Sequence, residues 1–224
     1  MTGTVVVAGG TGGLGSAVTA EFLAAGWRVV VPGRSDKSLG ELGSPEGLHT
    51  VVADLSDPVG VAEVARVAGA DESAPVRALV NLVGGFAAGS RVHETPVEEF
   101  EAQLRLNLRP TYLVTQAVLP LLIAAGGGSI TCTSSMSALK PFSGAAGYIT
   151  AKAAVLAFVD ALAVEYAKDH IRVNAILPGT IDTPTNRRAM PDANTAKWTP
   201  PARIATVLRV LAETPGVTGA HLPV

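Results

Sequence analysis

Four side chains in this sequence have the types and order needed to move a proton on or off a substrate oxygen. Tyr148 and Lys152 stand four residues apart at the head of an alanine-rich stretch that reads as a helix. That spacing lays both side chains on one helical face. A phenol with a pKa of about 10 exchanges protons poorly at neutrality. An ammonium one turn away favours the phenolate, and bringing the phenol into a useful range takes roughly 3–4 kcal/mol of differential stabilisation. Ser135 precedes the tyrosine, just past a β-branched run, where its hydroxyl can hold a substrate oxygen as negative charge develops. Asn107 lies inside an earlier helix, near Pro110. Proline has no N–H to donate and clashes with the carbonyl four residues back, here that of Leu106, so a kink beside Asn107 is expected. The kink would free a carbonyl to hold a proton-relay water.

A proton on oxygen reduces a carbonyl only if a hydride reaches the carbon, and a second segment points to a hydride carrier. Ala8-Gly9-Gly10-Thr11-Gly12-Gly13-Leu14-Gly15 follows an apolar strand and opens a helix. Glycines there let the backbone approach a pyrophosphate, whose charge the helix N-terminus favours. An NAD site would place a carboxylate against the ribose at the end of the next strand. This chain has Val31-Pro32-Gly33-Arg34-Ser35 instead. The Arg34 guanidinium suits a 2′-phosphate, so NADP(H) is expected in preference to NAD(H).

The elements that must position these groups alternate along the chain. Short β-branched runs at residues 4–8, 28–31, 50–53, 78–83, 130–133 and 172–177, with a short one at 220–224, are separated by Ala- and Leu-rich segments. That rhythm predicts βαβ units around a mostly parallel sheet of about seven strands with helices on both faces. Thr95-Pro96-Val97-Glu98 reads as a capping box opening a long helix over residues 96–125. A second long helix is expected over 148–170, and Thr199-Pro200-Pro201 opens the last one. No linker or repeat interrupts the pattern, so residues 1–224 are read as one dinucleotide-binding and catalytic domain.

The order and spacing of Asn107, Ser135, Tyr148 and Lys152, with the wide glycine pattern Gly9-x-x-x-Gly13-x-Gly15, resemble the short-chain dehydrogenase/reductase family over essentially the whole chain. The resemblance implies a doubly wound Rossmann fold and a carbonyl–alcohol oxidoreductase, with Tyr148 as general acid and base. It gives Lys152 a further role on the nicotinamide ribose. It selects Ser135 among Ser134, Ser135 and Ser137, since Ser134 would point to the opposite side of a continuing strand and Ser137 is the reserve. Cofactor contacts implied by it fall on Gly9, Thr11, Gly12, Gly13, Leu14, Gly15, Arg34 and Ser35, and on Asp54 and Leu55 at the adenine. Asn81, Val83, Gly84, Tyr148 and Lys152 follow, with Pro178, Gly179, Ile181 and Thr183 at the nicotinamide. A homodimer or homotetramer pairing the two long helices is also implied.

Two departures matter. Asn81-Leu82-Val83-Gly84 replaces the usual Asn-Asn-Ala-Gly and puts a bulkier Val83 under the cofactor. The sequence ends at Val224, short of a tail such enzymes commonly carry, which would leave the pocket rim open or completed by another subunit. Residues 180–191, Trp198-Thr199-Pro200 and Val83-Gly84-Gly85-Phe86 look like dihydropteridine reductases, so reduction of a quinonoid pterin is the alternative activity. Those enzymes typically lack the serine and prefer NADH. A non-catalytic nucleotide-binding regulator is the remote alternative, since such proteins generally lose a member of the tetrad. The stretch after the sixth strand is short for a sugar-nucleotide epimerase. Gly85, Phe86, Met136, Phe142, Met190 and Trp198 are the candidate pocket, which suits an apolar substrate.

Composition narrows the remaining classes. Of 224 residues, 48% are hydrophobic and 16% charged, enough apolar surface for a sizeable core. The net charge is −2 with scattered basic residues, which argues against nucleic-acid or anionic-membrane partners. Cys132 is the single cysteine and reads as a buried strand residue, and His49, His93, His170 and His221 lack ligand spacing, so no metal is expected. No signal-peptide core precedes Gly9 and the apolar run at 112–125 is interrupted by polar residues and proline, so a cytoplasmic protein is expected.

Overall fold

The computed structural model describes residues 3–224; Met1 and Thr2, which the one-domain reading includes, lie outside the described residues. The first βαβ unit consists of β1 (Thr4–Ala8), α1 (Gly15–Ala24) and β2 (Arg28–Gly33). It continues through α2 (Asp36–Gly40), β3 (Leu48–Val52), α3 (Pro58–Ala68) and β4 (Val76–Asn81). Next come α4 (Val97–Asn107), α5 (Arg109–Ala124) and β5 (Gly128–Thr133). The chain closes with α6 (Ala146–Glu165), β6 (Ile171–Leu177), α7 (Pro184–Ala189), α8 (Pro201–Glu213) and β7 (His221–Pro223). The strands form one seven-stranded sheet in the order β3-β2-β1-β4-β5-β6-β7, with every pairing parallel.

Alternation along the valine runs explains why both faces are covered. Val6 and Val30 point into one core with residues of α3, α5 and α6, such as Val64, Val114 and Val159. Val5, Val7, Val29 and Val31 point into the other, with Phe22 of α1 and Ile204 and Leu208 of α8. All of these are fully buried, and each stabilises the fold by roughly 1.5–3 kcal/mol relative to exposure. Cys132 lies in β5 and is buried, as read from its neighbours.

Several local expectations are corrected. The helix expected over 96–125 is two helices that break at Leu108, where Pro110 cannot supply a donor to Leu106. The capping box does not form. Pro96 is the cap residue without a side-chain bond, and the Thr95 hydroxyl donates backward to the carbonyls of Ser90 and Arg91. β4 stops at Asn81, not at residue 83, because the Asn81 Oδ1 accepts the Val83 N–H at 3.1 Å and turns the chain out of the sheet. The helix expected over 148–170 spans Ala146–Glu165 and passes through a 3-10 turn to a left-handed His170.

By length and composition α6 could cross a membrane. Its apolar residues Val155, Val159 and Leu162 instead pack into the sheet core, and it carries Tyr148 and Lys152.

Candidate active site

The strand order reverses between β1 and β4, and crossover helices leave a crevice at the carboxyl ends there. Four loops meet along this edge: the glycine turn after β1, residues 82–85 after β4, Ser134–Ser137 after β5, and residues 178–183 after β6. The glycine turn is tight. A side chain on Gly15 would collide with the Gly9 carbonyl, and one on Gly13 would sit 3.0 Å from the Thr183 side chain. Gly12 and Gly9 close the turn with an N–H to carbonyl bond, and Leu14 is buried under it. The turn therefore presents backbone, with Thr11 beside Gly33 at the end of β2.

Arg34 follows directly and is exposed, with no ion pair or side-chain hydrogen bond among the described residues. Ser35 caps α2 by accepting the Ser38 N–H at 3.3 Å. Asp54 is at the surface, with one carboxylate oxygen taking the Ser56 N–H at 2.8 Å, while Leu55 packs into the core. On the far side, Pro178 accepts the Met136 N–H through its carbonyl, Ile181 bridges to Thr199, and Thr183 caps α7. Gly179 is exposed with open space around it.

The tetrad converges between these loops. Lys152 is 4% exposed, and its ammonium donates to the Thr133 carbonyl at the end of β5 at 3.0 Å. Its Nζ lies 5.9 Å from the centroid of the Tyr148 ring. Burial lowers the Lys152 pKa to about 8, because desolvation disfavours the charged form. The adjacent Cys132 thiol is pushed up to about 12 by burial, against the pull of Lys152. Burial also raises Tyr148, and the hydroxyls of Ser135 and Ser137 oppose that rise. The two serine hydroxyls are thus the protein groups that act on the phenol through hydrogen bonds, with the Lys152 ammonium facing its ring.

Asn107 is completely buried and uses its whole amide. Its Oδ1 accepts the Gly85 N–H at 3.1 Å, and its Nδ2 donates to the Gly85 and Gln103 carbonyls at 3.1 Å each. Its own carbonyl, beside the helix break, accepts the Thr111 hydroxyl at 2.7 Å. Asn107 thus clamps the strand exit. Gly84 passes between it and Lys152, so a Cβ there would stand 2.5 Å from Asn107 Oδ1 and 2.9 Å from Lys152 Nζ. Gly84 also has φ +153°, a conformation glycine tolerates. Asn81 is buried, and Val83 packs against the core, which accommodates its extra bulk.

The serines separate as strand alternation predicts. Ser134 turns inward and donates to the Lys152 carbonyl at 2.8 Å, and Ser135 faces the crevice. Ser137, held in reserve on spacing alone, stands beside Ser135 with the two Oγ atoms 2.8 Å apart. The Ser-x-Ser pattern at the head of a turn was the signal for it. Of the apolar candidates, Phe86 meets Tyr148 edge-on at 5.0 Å and Phe142 at 6.3 Å between centroids. Met136 is instead drawn against the core. A cavity of about 510 Å³ opens next to this cluster, lined by Ala87, Val92, Val97, Phe100, Gln103 and Gly147. Tyr148 and Lys152 do not line it, so the space and the reactive groups are neighbours. No group of metal-ligating side chains occurs among the described residues.

Comparison with known proteins identifies the family. The family model described as short chain dehydrogenase matches residues 3–194. A 2-(R)-hydroxypropyl-CoM dehydrogenase from Xanthobacter autotrophicus is 34% identical over 192 residues, covering 82% of this chain and 76% of the relative. A Burkholderia thailandensis oxidoreductase structure of the short chain dehydrogenase/reductase family superposes with a TM-score of 0.87 at 30% identity, covering 100% of this chain and 91% of that one. The structure of ElxO with NADP bound superposes with a TM-score of 0.90 at 25% identity, covering 100% and 97%. With a seven-stranded parallel Rossmann sheet, a matching family model and relatives of this kind, the chain belongs to the short-chain dehydrogenase family of oxidoreductases.

Proposed function

We propose that this one-domain chain interconverts a small-molecule carbonyl and alcohol, with NADP(H) as hydride carrier in preference to NAD(H). The observation that carries the reading is the convergence of a desolvated phenol, two serine hydroxyls and a buried ammonium at one strand edge. The nucleotide fits the residues present. At Gly10 and Gly15 the turn has no room for side chains, so it would present backbone to a pyrophosphate, and the free Arg34 suits a 2′-phosphate. Gly9, Thr11, Gly12, Gly13, Leu14, Gly15, Ser35, Asp54, Leu55, Asn81, Val83 and Gly84 would line that site with Pro178, Gly179, Ile181 and Thr183. When bound, the nicotinamide would supply or take the hydride, and its oxidised form would add positive charge to the site.

Tyr148 hands its proton to the substrate oxygen in reduction and removes it in oxidation. Ser135 donates a hydrogen bond to that oxygen and stabilises its developing charge. Lys152 keeps a positive charge behind the phenol and would hold the nicotinamide ribose. Asn107 fixes the Gly84–Gly85 backbone on which Lys152 rests. The exposed Phe86 and Phe142 rings suit an apolar substrate. Tyr112 and Ile123 on α5 and Val164 on α6 are exposed apolar residues where a homodimer or homotetramer would pair.

NADPH and NADH oxidation with acetophenone, menadione and quinonoid dihydropterin tests the reading. Turnover of the ketone or quinone with NADPH is expected. Turnover of the pterin alone would replace the proposed substrate class with pteridine reduction.

A further inference from the structure

The turn after β5 contains a second hydroxyl whose position the fold does not require. Ser135 heads the 3-10 turn Met136–Ala138, and its Oγ accepts the Ser137 backbone N–H at 3.2 Å. That bond alone caps the turn, and alanine at position 137 would leave it intact. Yet Ser137 is only 9% exposed and places its Oγ 2.8 Å from Ser135 Oγ. Burying a hydroxyl costs free energy unless it is bonded, and Ser135 is its hydrogen-bond partner here.

A serine hydroxyl has one hydrogen and two acceptor lone pairs. The Ser137 N–H fills one lone pair of Ser135. If Ser135 donated to Ser137, its one hydrogen would be used inside the turn and none would remain for a substrate oxygen. If Ser137 donates, both lone pairs of Ser135 are filled and its hydrogen must point outward, toward Tyr148. Both serine hydroxyls act on that phenol; the other groups around it are Lys152, facing its ring at 5.9 Å, and the edge-on Phe86. Neither can orient the Ser135 hydroxyl.

We propose that Ser137 is a positioning residue whose hydroxyl donates to Ser135 Oγ and so commits the Ser135 hydrogen to the reacting oxygen beside Tyr148. This rests on the reading of Ser135 and Tyr148 as the groups that handle that oxygen. Both hydroxyls oppose the upward push of burial on Tyr148, and an action of Ser137 on the phenol that bypasses Ser135 would persist when Ser135 is replaced by alanine.

The test compares Ser137→Ala, Ser135→Ala, the double variant and Ser137→Thr in the NADP-loaded protein. Two quantities are read: kcat and KM for NADPH oxidation with menadione, and the alkaline absorbance titration of Tyr148. A Tyr148→Phe control isolates that residue among the three tyrosines. Ser137→Ala should lower kcat about 3–10-fold, the scale of one hydrogen bond, with KM little changed and the Tyr148 midpoint shifted upward. Ser137→Thr should restore most of the loss. In the Ser135→Ala background, removing the Ser137 hydroxyl should change neither quantity. Equal losses in both backgrounds, or no change on Ser137→Ala, would overturn the proposal. The titration needs no substrate and decides the point even if menadione is not reduced. Full turnover in Tyr148→Phe would instead remove the underlying reading, whereas an inactive Tyr148→Phe with additive serine effects removes only the role of Ser137.

Discussion

The inner and outer halves of the site differ in how many bonds their side chains have already made. On the inner side, Asn107 spends its whole amide on Gly85 and Gln103, Lys152 is bonded to Thr133, and Ser134 to the Lys152 backbone. On the outer side, Phe86 is 63% and Phe142 48% exposed, and Arg34 has its donors free. The inner half is set by packing and has little freedom to adapt. The outer half keeps ring faces and a guanidinium for whatever binds. On the proposed reading, the chemistry is held by the core, and the choice of nucleotide and substrate by a few exposed residues.

Breaking the inner half should cost most. Lys152→Met should lower kcat on the order of 10²–10⁴-fold, the range of a lost acid–base partner. The same change should raise the melting temperature by a few degrees at neutral pH, as followed by calorimetry. The sign follows from linkage. The folded-state pKa of about 8 lies below the ordinary lysine value, so the unfolded chain binds this proton more tightly and the charge destabilises the fold at neutrality. That penalty fades as pH rises above about 8, and the thermal gain of the variant should shrink with it. A variant that melts earlier at neutral pH would contradict the desolvated ammonium.

Gly84→Ala should follow, because the new methyl would meet Asn107 Oδ1 and Lys152 Nζ. A displacement of about 1 Å costs roughly 10²-fold in kcat, and steady-state kinetics that match the parent would show that this backbone tolerates movement. In the outer half, Arg34→Ala should raise KM for NADPH roughly 10–100-fold, the scale of charge-assisted bonds, and leave KM for NADH nearly unchanged. Equal effects on both nucleotides would place Arg34 away from a 2′-phosphate. Phe86→Ala should have the smallest effect, raising KM for an aryl ketone about 3–10-fold, the scale of an aromatic pair. No change would leave Phe86 outside the substrate's path.

Much of this was legible in the sequence, and the parts that were not share a cause. The valine runs at 5–7 and 29–31 reveal a doubly covered sheet because neighbouring residues alternate faces. Ser135, Tyr148 and Lys152 were legible because they lie on one continuous segment, the exit of β5 and the first turns of α6. Pro110 announced a disturbance beside Asn107, but not that the helix would divide. Thr95 had the composition of a cap, yet its hydroxyl found the carbonyls of Ser90 and Arg91 in a loop folded back on it. The bond between Asn107 and Gly85 spans 22 positions. Contacts that depend on where a distant loop comes to rest leave no local pattern. Ser137 lay between these cases, visible as a residue type and meaningful only beside Ser135.

The most direct test of the central claim is Tyr148→Phe, which removes one hydroxyl and keeps the ring against Phe86. Turnover and NADPH affinity should be measured on the same preparation, the latter by nucleotide fluorescence. The account predicts kcat lower by roughly 10²–10⁴-fold with NADPH binding preserved. Turnover at the parent rate would contradict it.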